Sequence, residues 1–219
     1  MTNLFLAVGV FLFTHLLPAI RPLRTAVIGA LGRRWYFALF SVVSLTATLA
    51  VLWAFLDAPY IEVWSYHPWT RWAVLLAMPV SCVLVVVGLT TANPYSLTLN
   101  TRPFDPARPG IVGRFRHPVI WGMMVWSTVH MLPNGDVASL TLFGLLTLLN
   151  ASGPGTLEKR RKSALGDVAW NNLLTTTVAP PVAALLRQVG IVRIVGGLAL
   201  YLVLLFLHGP VIGVSPLDG

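Results

Sequence analysis

The sequence predicts an all-α fold: a polytopic transmembrane helix bundle of about six spans, with both termini on the outer, periplasmic side. Three observations predict it. Of the 219 residues, 56% are hydrophobic and only 10% charged, where a soluble domain carries about 25% charged residues. Mean hydropathy is +0.78. Apolar stretches of spanning length recur along the chain, and nearly all basic residues fall on one side of them. The length suits a single integral membrane domain over residues 1–219.

The spans are read in order. The first covers 2–20; no positive charge precedes it and no small-residue cleavage site follows Ala19, so it is expected to be a mature helix rather than a signal peptide. The second covers 35–57 and the third 71–92, where Pro79 is expected to kink the helix or open its backbone. Segment 93–116 holds Pro94, Pro103, Pro106 and Pro109, with Pro118 just beyond, and cannot be one helix. Spans four and five, 117–133 and 137–154, are joined by Pro133-Asn134-Gly135-Asp136, a turn sequence that predicts a tight antiparallel hairpin. Segment 156–175 is charged first and then apolar with Trp170, as expected of a helix along the membrane surface. Residues 180–189 follow a Pro-Pro break and read as a second interfacial helix. The sixth span, 191–213, carries Gly196-Gly197, which permits close helix approach.

Of the 15 Lys and Arg residues, every one except Arg71 falls on the side of the loops 21–34, 93–116 and 155–193. That asymmetry places those loops in the cytoplasm and predicts a multi-pass protein of the bacterial inner membrane. It also accounts for the net charge of +8 without nucleic acid as a partner; the expected partner is the lipid bilayer. Cys82 is the one cysteine, which excludes an intramolecular disulfide and a two-cysteine haem attachment motif.

The polar residues inside the spans carry the functional reading, because ionisable groups in a membrane are functional candidates by default. His67, in Tyr66-His67-Pro68-Trp69, reads as interfacial. His15, His117, His130 and His208 fall within or at the ends of spans. Each could be a neutral ring bonded to a carbonyl or hydroxyl; four in one small bundle argue that not all are structural. At about 1.5 Å per residue, depth pairs His15 with His117 and His130 with His208. His117 and His130 lie about 220° apart around their helix and serve different purposes. Facing histidines in an apolar bundle suit a b-type haem. Zinc would want further ligands that no Cys, Asp or Glu cluster supplies, and a proton relay would lack an intramembrane carboxylate.

Several motifs resemble the NnrU family of bacterial membrane proteins, whose relatives include the plastid 15-cis-zeta-carotene isomerase. They are THLLPAIRPLR at 14–24, GRRWYFALFSVVSL at 32–45, RHPVIWG at 116–122, VWSTVHMLPNGD at 125–136, LFG at 142–144 and LHGPVIGVSP at 207–216. The resemblance implies a link to denitrification and nitric-oxide metabolism, or a carotenoid cis-trans isomerase-like activity on a hydrophobic small molecule, with haem b as cofactor. It implies His15 and His130 as iron ligands, with His208 as substitute partner of His130, and His117 with Arg116 orienting a polar or anionic group such as a propionate.

A second resemblance covers the later half. Arg116-His117-Pro118, Gly122, Glu158, Leu165-Gly166 and Trp170 look similar to membrane methyltransferases of the isoprenylcysteine carboxyl methyltransferase type, and imply S-adenosylmethionine held by His117 and Glu158. Lys159 stands where that type has a second glutamate. The same residues also read as a helix start, with Pro118 in the first turn and Arg116 reaching lipid phosphates. A third reading is a non-catalytic membrane scaffold with unspecified protein partners.

Overall fold

A computed structural model describes residues 1–217. Among them the chain is helical, with one isolated antiparallel bridge between Glu62 and Asp136. It clusters into two compact units, the first made of 1–64 with 136–142 and the second of 65–135 with 143–219.

The first unit contains α1 (Thr2–Leu16), continued by a 3-10 turn over Leu17–Ala19 where Pro18 lacks a donor, then α2 (Arg21–Leu31) and α3 (Arg33–Leu56). Gly32 separates α2 from α3 with φ 78°, a conformation that costs glycine little. Leu4, Val51, Ala54 and Ala138 form the buried core of this unit. Helix α2 replaces the loop expected there; its proline sits in the first turn, where a missing N–H is no loss.

The second unit contains α4 (Pro68–Thr90), α5 (Pro118–His130), most of α6 (Val137–Leu165), α7 (Asp167–Thr176), α8 (Val182–Val189) and α9 (Ile191–Ile212). Two crossings fix α4, against α5 and α9, and three close contacts in them need a glycine. A Cβ on Gly197 would lie 2.5 Å from the Val83 Cα, one on Gly122 2.8 Å from the Ser81 carbonyl oxygen, and one on Gly88 2.8 Å from Pro118. The close approach expected of Gly196-Gly197 is therefore made against α4. Ser81 Oγ donates to the Gly122 carbonyl at 2.7 Å inside that contact. Pro79 lies within α4 without ending it. A proline leaves the carbonyl four residues earlier unbonded, and here that carbonyl, of Leu75, accepts from the Tyr201 hydroxyl of α9 at 3.3 Å.

Helix α6 runs antiparallel to α5: Phe143 meets His130, Thr147 meets Ser127, Gly153 meets Ile120 and Glu158 meets His117. Asn134 Nδ2 donates to the His130 carbonyl and caps the end of α5. Asp136 accepts from the Ala138 and Ser139 backbone N–H groups and caps the start of α6. The surface segment expected over 156–175 is divided differently. Helix α6 passes through Gly153-Pro154-Gly155 to Leu165, and only α7 is separate.

Among the described residues five helices are long and apolar enough to cross a membrane: 2–19, 33–56, 68–90, 137–165 and 191–212. The expected fourth span is the 13-residue α5, shorter than the roughly 17 residues that crossing takes. Many large apolar side chains, among them Trp35, Trp53, Leu56 and Phe206, are exposed, as surfaces meeting lipid are.

Candidate functional site

The sequence singled out His15, Arg116, His117, His130 and His208. The structure distributes them over three environments, one in the first unit and two at opposite ends of the second.

In the first unit, His15 ends α1. Its Nδ1 lies 2.7 Å from the Phe11 carbonyl and its Nε2 2.9 Å from Ser44 Oγ on α3. A carbonyl can only accept, so Nδ1 carries the proton and Nε2 accepts from the serine. Phe11 stacks on the ring at 4.0 Å. Both nitrogens are thus engaged.

At the end of the second unit where the basic loops cluster, Arg116 and His117 precede α5 and meet Glu158 of α6. His117 Nε2 and Arg116 Nη1 lie 3.2 and 3.3 Å from the same Glu158 Oε1. The His117 side chain is only 4% exposed, whereas those of Glu158 and Arg116 are 33% and 47% exposed. With Nε2–H donating to the carboxylate, His117 Nδ1 is left as a buried acceptor with no partner among the described residues. Behind it stands a scaffold that sequence reading missed. Asn93 Nδ2 donates to the Arg116 carbonyl, and Asn93 Oδ1 accepts from the Tyr95 and Ser96 N–H groups. Tyr95 is fully buried, lies beneath the Arg116 guanidinium at 5.6 Å, meets Trp170 edge-on and donates to the Leu173 carbonyl. The available signal was Asn93-Pro94, a turn-forming pair in which Asn bonds backbone N–H groups further along.

At the opposite end, His130 closes α5. Its Nδ1–H donates to the Trp126 carbonyl at 2.8 Å, which fixes the tautomer and leaves the Nε2 lone pair without a hydrogen bond among the described residues. Phe143 and Trp126 flank the ring with centroids at 5.3 and 5.7 Å. On α9, His208 Nδ1 is bonded to the carbonyl of Val214, which lies beyond the end of the helix. The structure therefore brings Arg116 together with His117 and Glu158, and sets His130 and His208 on two helices that both pack on α4. His15 and His130 belong to different units.

The chemistry of the donors can be tested against each implied group. Among the described residues no cluster of three or more His, Cys, Asp or Glu side chains could hold a metal ion by itself. Haem iron asks the protein for only one or two axial ligands, and a ligating histidine has its other nitrogen bonded to a carbonyl or carboxylate. His130 and His208 fit that requirement, with aromatic neighbours around His130. Arg116, Glu158 and the buried His117 acceptor fit a zwitterionic ligand, offering a cation, an anion and an acceptor. An apolar groove along α5, lined by Trp121, Met124, Val125, Thr128, Val129 and Leu132, has room for a hydrophobic chain.

A family model described as NnrU protein matches residues 3–216. No curated protein and no solved structure gives a significant match.

Proposed function

This chain belongs to the NnrU family, and on that premise we propose that it is a haem b-binding membrane protein whose iron ligands are His130 and His208. The observation that carries the reading is the His130 ring, held through Nδ1 by its own helix and presenting Nε2 among aromatic side chains. His208, whose Nδ1 is likewise bonded to a carbonyl, is preferred over His15, whose Nε2 accepts from Ser44. When bound, haem supplies one-electron chemistry and a coordination position that a small ligand or substrate can contest. The protein's share is to fix the imidazoles, exclude water with Trp126 and Phe143, and offer the α5 groove to a hydrophobic substrate. This is the equipment either family setting needs: nitric-oxide and denitrification metabolism, or isomerisation of a polyene. The basic loops support a topology with the Arg116 end in the cytoplasm and the His130 end at the periplasmic face of the inner membrane. In this topology α5 and α6 complete six spans, α5 crossing in part through the irregular chain on either side.

The deciding experiment is the absorption spectrum of the protein purified in mild detergent after expression with ample haem, oxidised and then dithionite-reduced. A sharp Soret and α band near one haem per chain is expected, lost in His130→Ala and in His208→Ala and kept in His15→Ala. A colourless wild-type protein rejects the reading.

A second reading has its own observation. Arg116, His117 and Glu158 do meet, around a buried acceptor. That supports an S-adenosylmethionine-dependent methyltransferase, with Glu158 taking the ligand's ammonium and Arg116 its carboxylate. Equilibrium dialysis with labelled S-adenosylmethionine, on wild type and Glu158→Gln, tests it; no binding at millimolar ligand ends it.

A further inference from the structure

Arg71 sits one turn into α4. Its Nε and Nη1 are buried and have no hydrogen-bond partner among the described residues; the guanidinium rests 5.3 Å from the ring of the adjacent Trp72. A guanidinium cannot shed its proton, and an uncompensated buried charge is strongly unfavourable. The described acids of its unit, Asp105, Glu158 and Asp167, belong to the loops and helices at the other end. Such a group calls for an anion that the described residues of its unit do not provide.

The helix crossings say where Arg71 stands. Gly197 of α9 abuts Val83 of α4, and the two helices are antiparallel. Counting outward from that contact, eleven residues reach His208 and twelve reach Arg71, a difference in height of about 2 Å at the helical rise. Gly122 of α5 abuts Ser81. Eight residues from there reach His130 and ten reach Arg71, so His130 is about 3 Å deeper. The faces agree as well. Arg71 shares a face of α4 with Leu75, one turn on, and His208 shares a face of α9 with Tyr201, two turns back. Tyr201 and Leu75 are hydrogen-bonded to each other.

We infer that Arg71 is a ligand-binding residue, receiving a carboxylate of the same group that His130 and His208 hold. The inference rests on the haem reading, where that carboxylate is a propionate directed toward the nearer membrane surface. It gives Arg71, the one basic residue outside the cytoplasmic set, a chemical purpose.

The test is a titration of the purified apoprotein with haem b and with haem b dimethyl ester, whose propionates are uncharged, followed by the Soret shift. Wild type is expected to bind the ester about tenfold to a hundredfold more weakly than haem, the range of one charge-assisted hydrogen-bonded pair. Arg71→Leu is expected to bind both ligands alike, at the wild-type affinity for the ester, and that retained ester affinity also reports correct folding. Arg71→Lys, with the charge but not the planar fork, should keep part of the preference. Equal binding of haem and ester by wild type, or the same preference in Arg71→Leu, overturns the role of Arg71 and leaves the haem reading standing. A wild type that binds neither ligand overturns both.

Discussion

The two ends of the second unit each carry a histidine, one just before α5 and one at its close, and they hold it in opposite ways. His117 is gripped by another side chain: Glu158 takes its Nε2, Arg116 shares the carboxylate, and Asn93 and Tyr95 steady the backbone behind. His130 is gripped by its own helix, through the Trp126 carbonyl four residues back. A backbone bond to Nδ1 settles the tautomer at no cost to Nε2, which remains a ligand donor. A side-chain network instead ties the ring to groups that water also reaches, and makes it part of a polar recognition surface. The same residue type at the two ends of one short helix thus keeps an unbonded ring nitrogen among the described residues at one end and joins a polar network at the other.

The largest expected effect separates the ends outright. His130→Ala should lose all haem, whereas His117→Ala should keep it at wild-type stoichiometry, read from the pyridine haemochrome. Loss in both variants, or in neither, would erase the distinction. Next comes a change that the ends share. Gly122→Ala puts a Cβ 2.8 Å from the Ser81 carbonyl oxygen, and overpacking of this kind costs about 1–3 kcal/mol. It should lower the thermal midpoint in detergent and weaken both ends together. A smaller effect belongs to Tyr201→Phe. It leaves the Leu75 carbonyl unbonded, at about 1 kcal/mol. The loss should largely vanish in Pro79→Ala, where the helix can bond that carbonyl itself. Smallest is Glu158→Gln. Its cationic partner is half exposed and the contacts exceed 3 Å, so the stability loss should stay below about 1 kcal/mol. Haem content should not change, and any effect of this substitution on the Soret band would join the two ends after all.

How far these features could be read from the sequence follows from the distance over which each is decided. Long apolar runs fixed five of the helices to within a few residues, because burial in lipid depends on composition alone. Helix α6 outran its expected end because Gly153-Pro154-Gly155 reads as a break locally, yet Gly153 packs directly on Ile120 and the helix continues. Helix α2 was missed because eleven residues opening on Arg-Pro resemble a basic loop. The meeting of His117 with Glu158 was foreseeable, since a tight turn between two helices puts their far ends side by side. The shared end of His130 and His208 could be read from depth, since both lie late in helices that pack antiparallel to α4. Arg71 was visible only as a count in the charge map; its burial depends on the register of α4 against α9, which glycine contacts set and no local pattern reveals. Asn93 and Tyr95 were hidden for a related reason, being polar residues in a proline-rich loop whose partners lie up to 82 positions away.

The hydroxyl of Tyr201 and the carbonyl of Leu75 are separated by 126 positions in the chain, and this sets an order in time. When α4 first enters the bilayer, its proline has already exposed a carbonyl that hydrocarbon cannot solvate, and the residue that will satisfy it has not been synthesised. Until α9 emerges, that stretch of α4 must keep a water molecule, or stay against the insertion machinery. The final helix therefore completes the third span as well as following it. A chain stopped before Tyr201 would hold its earlier helices in an unfinished state, open to recognition by membrane quality control.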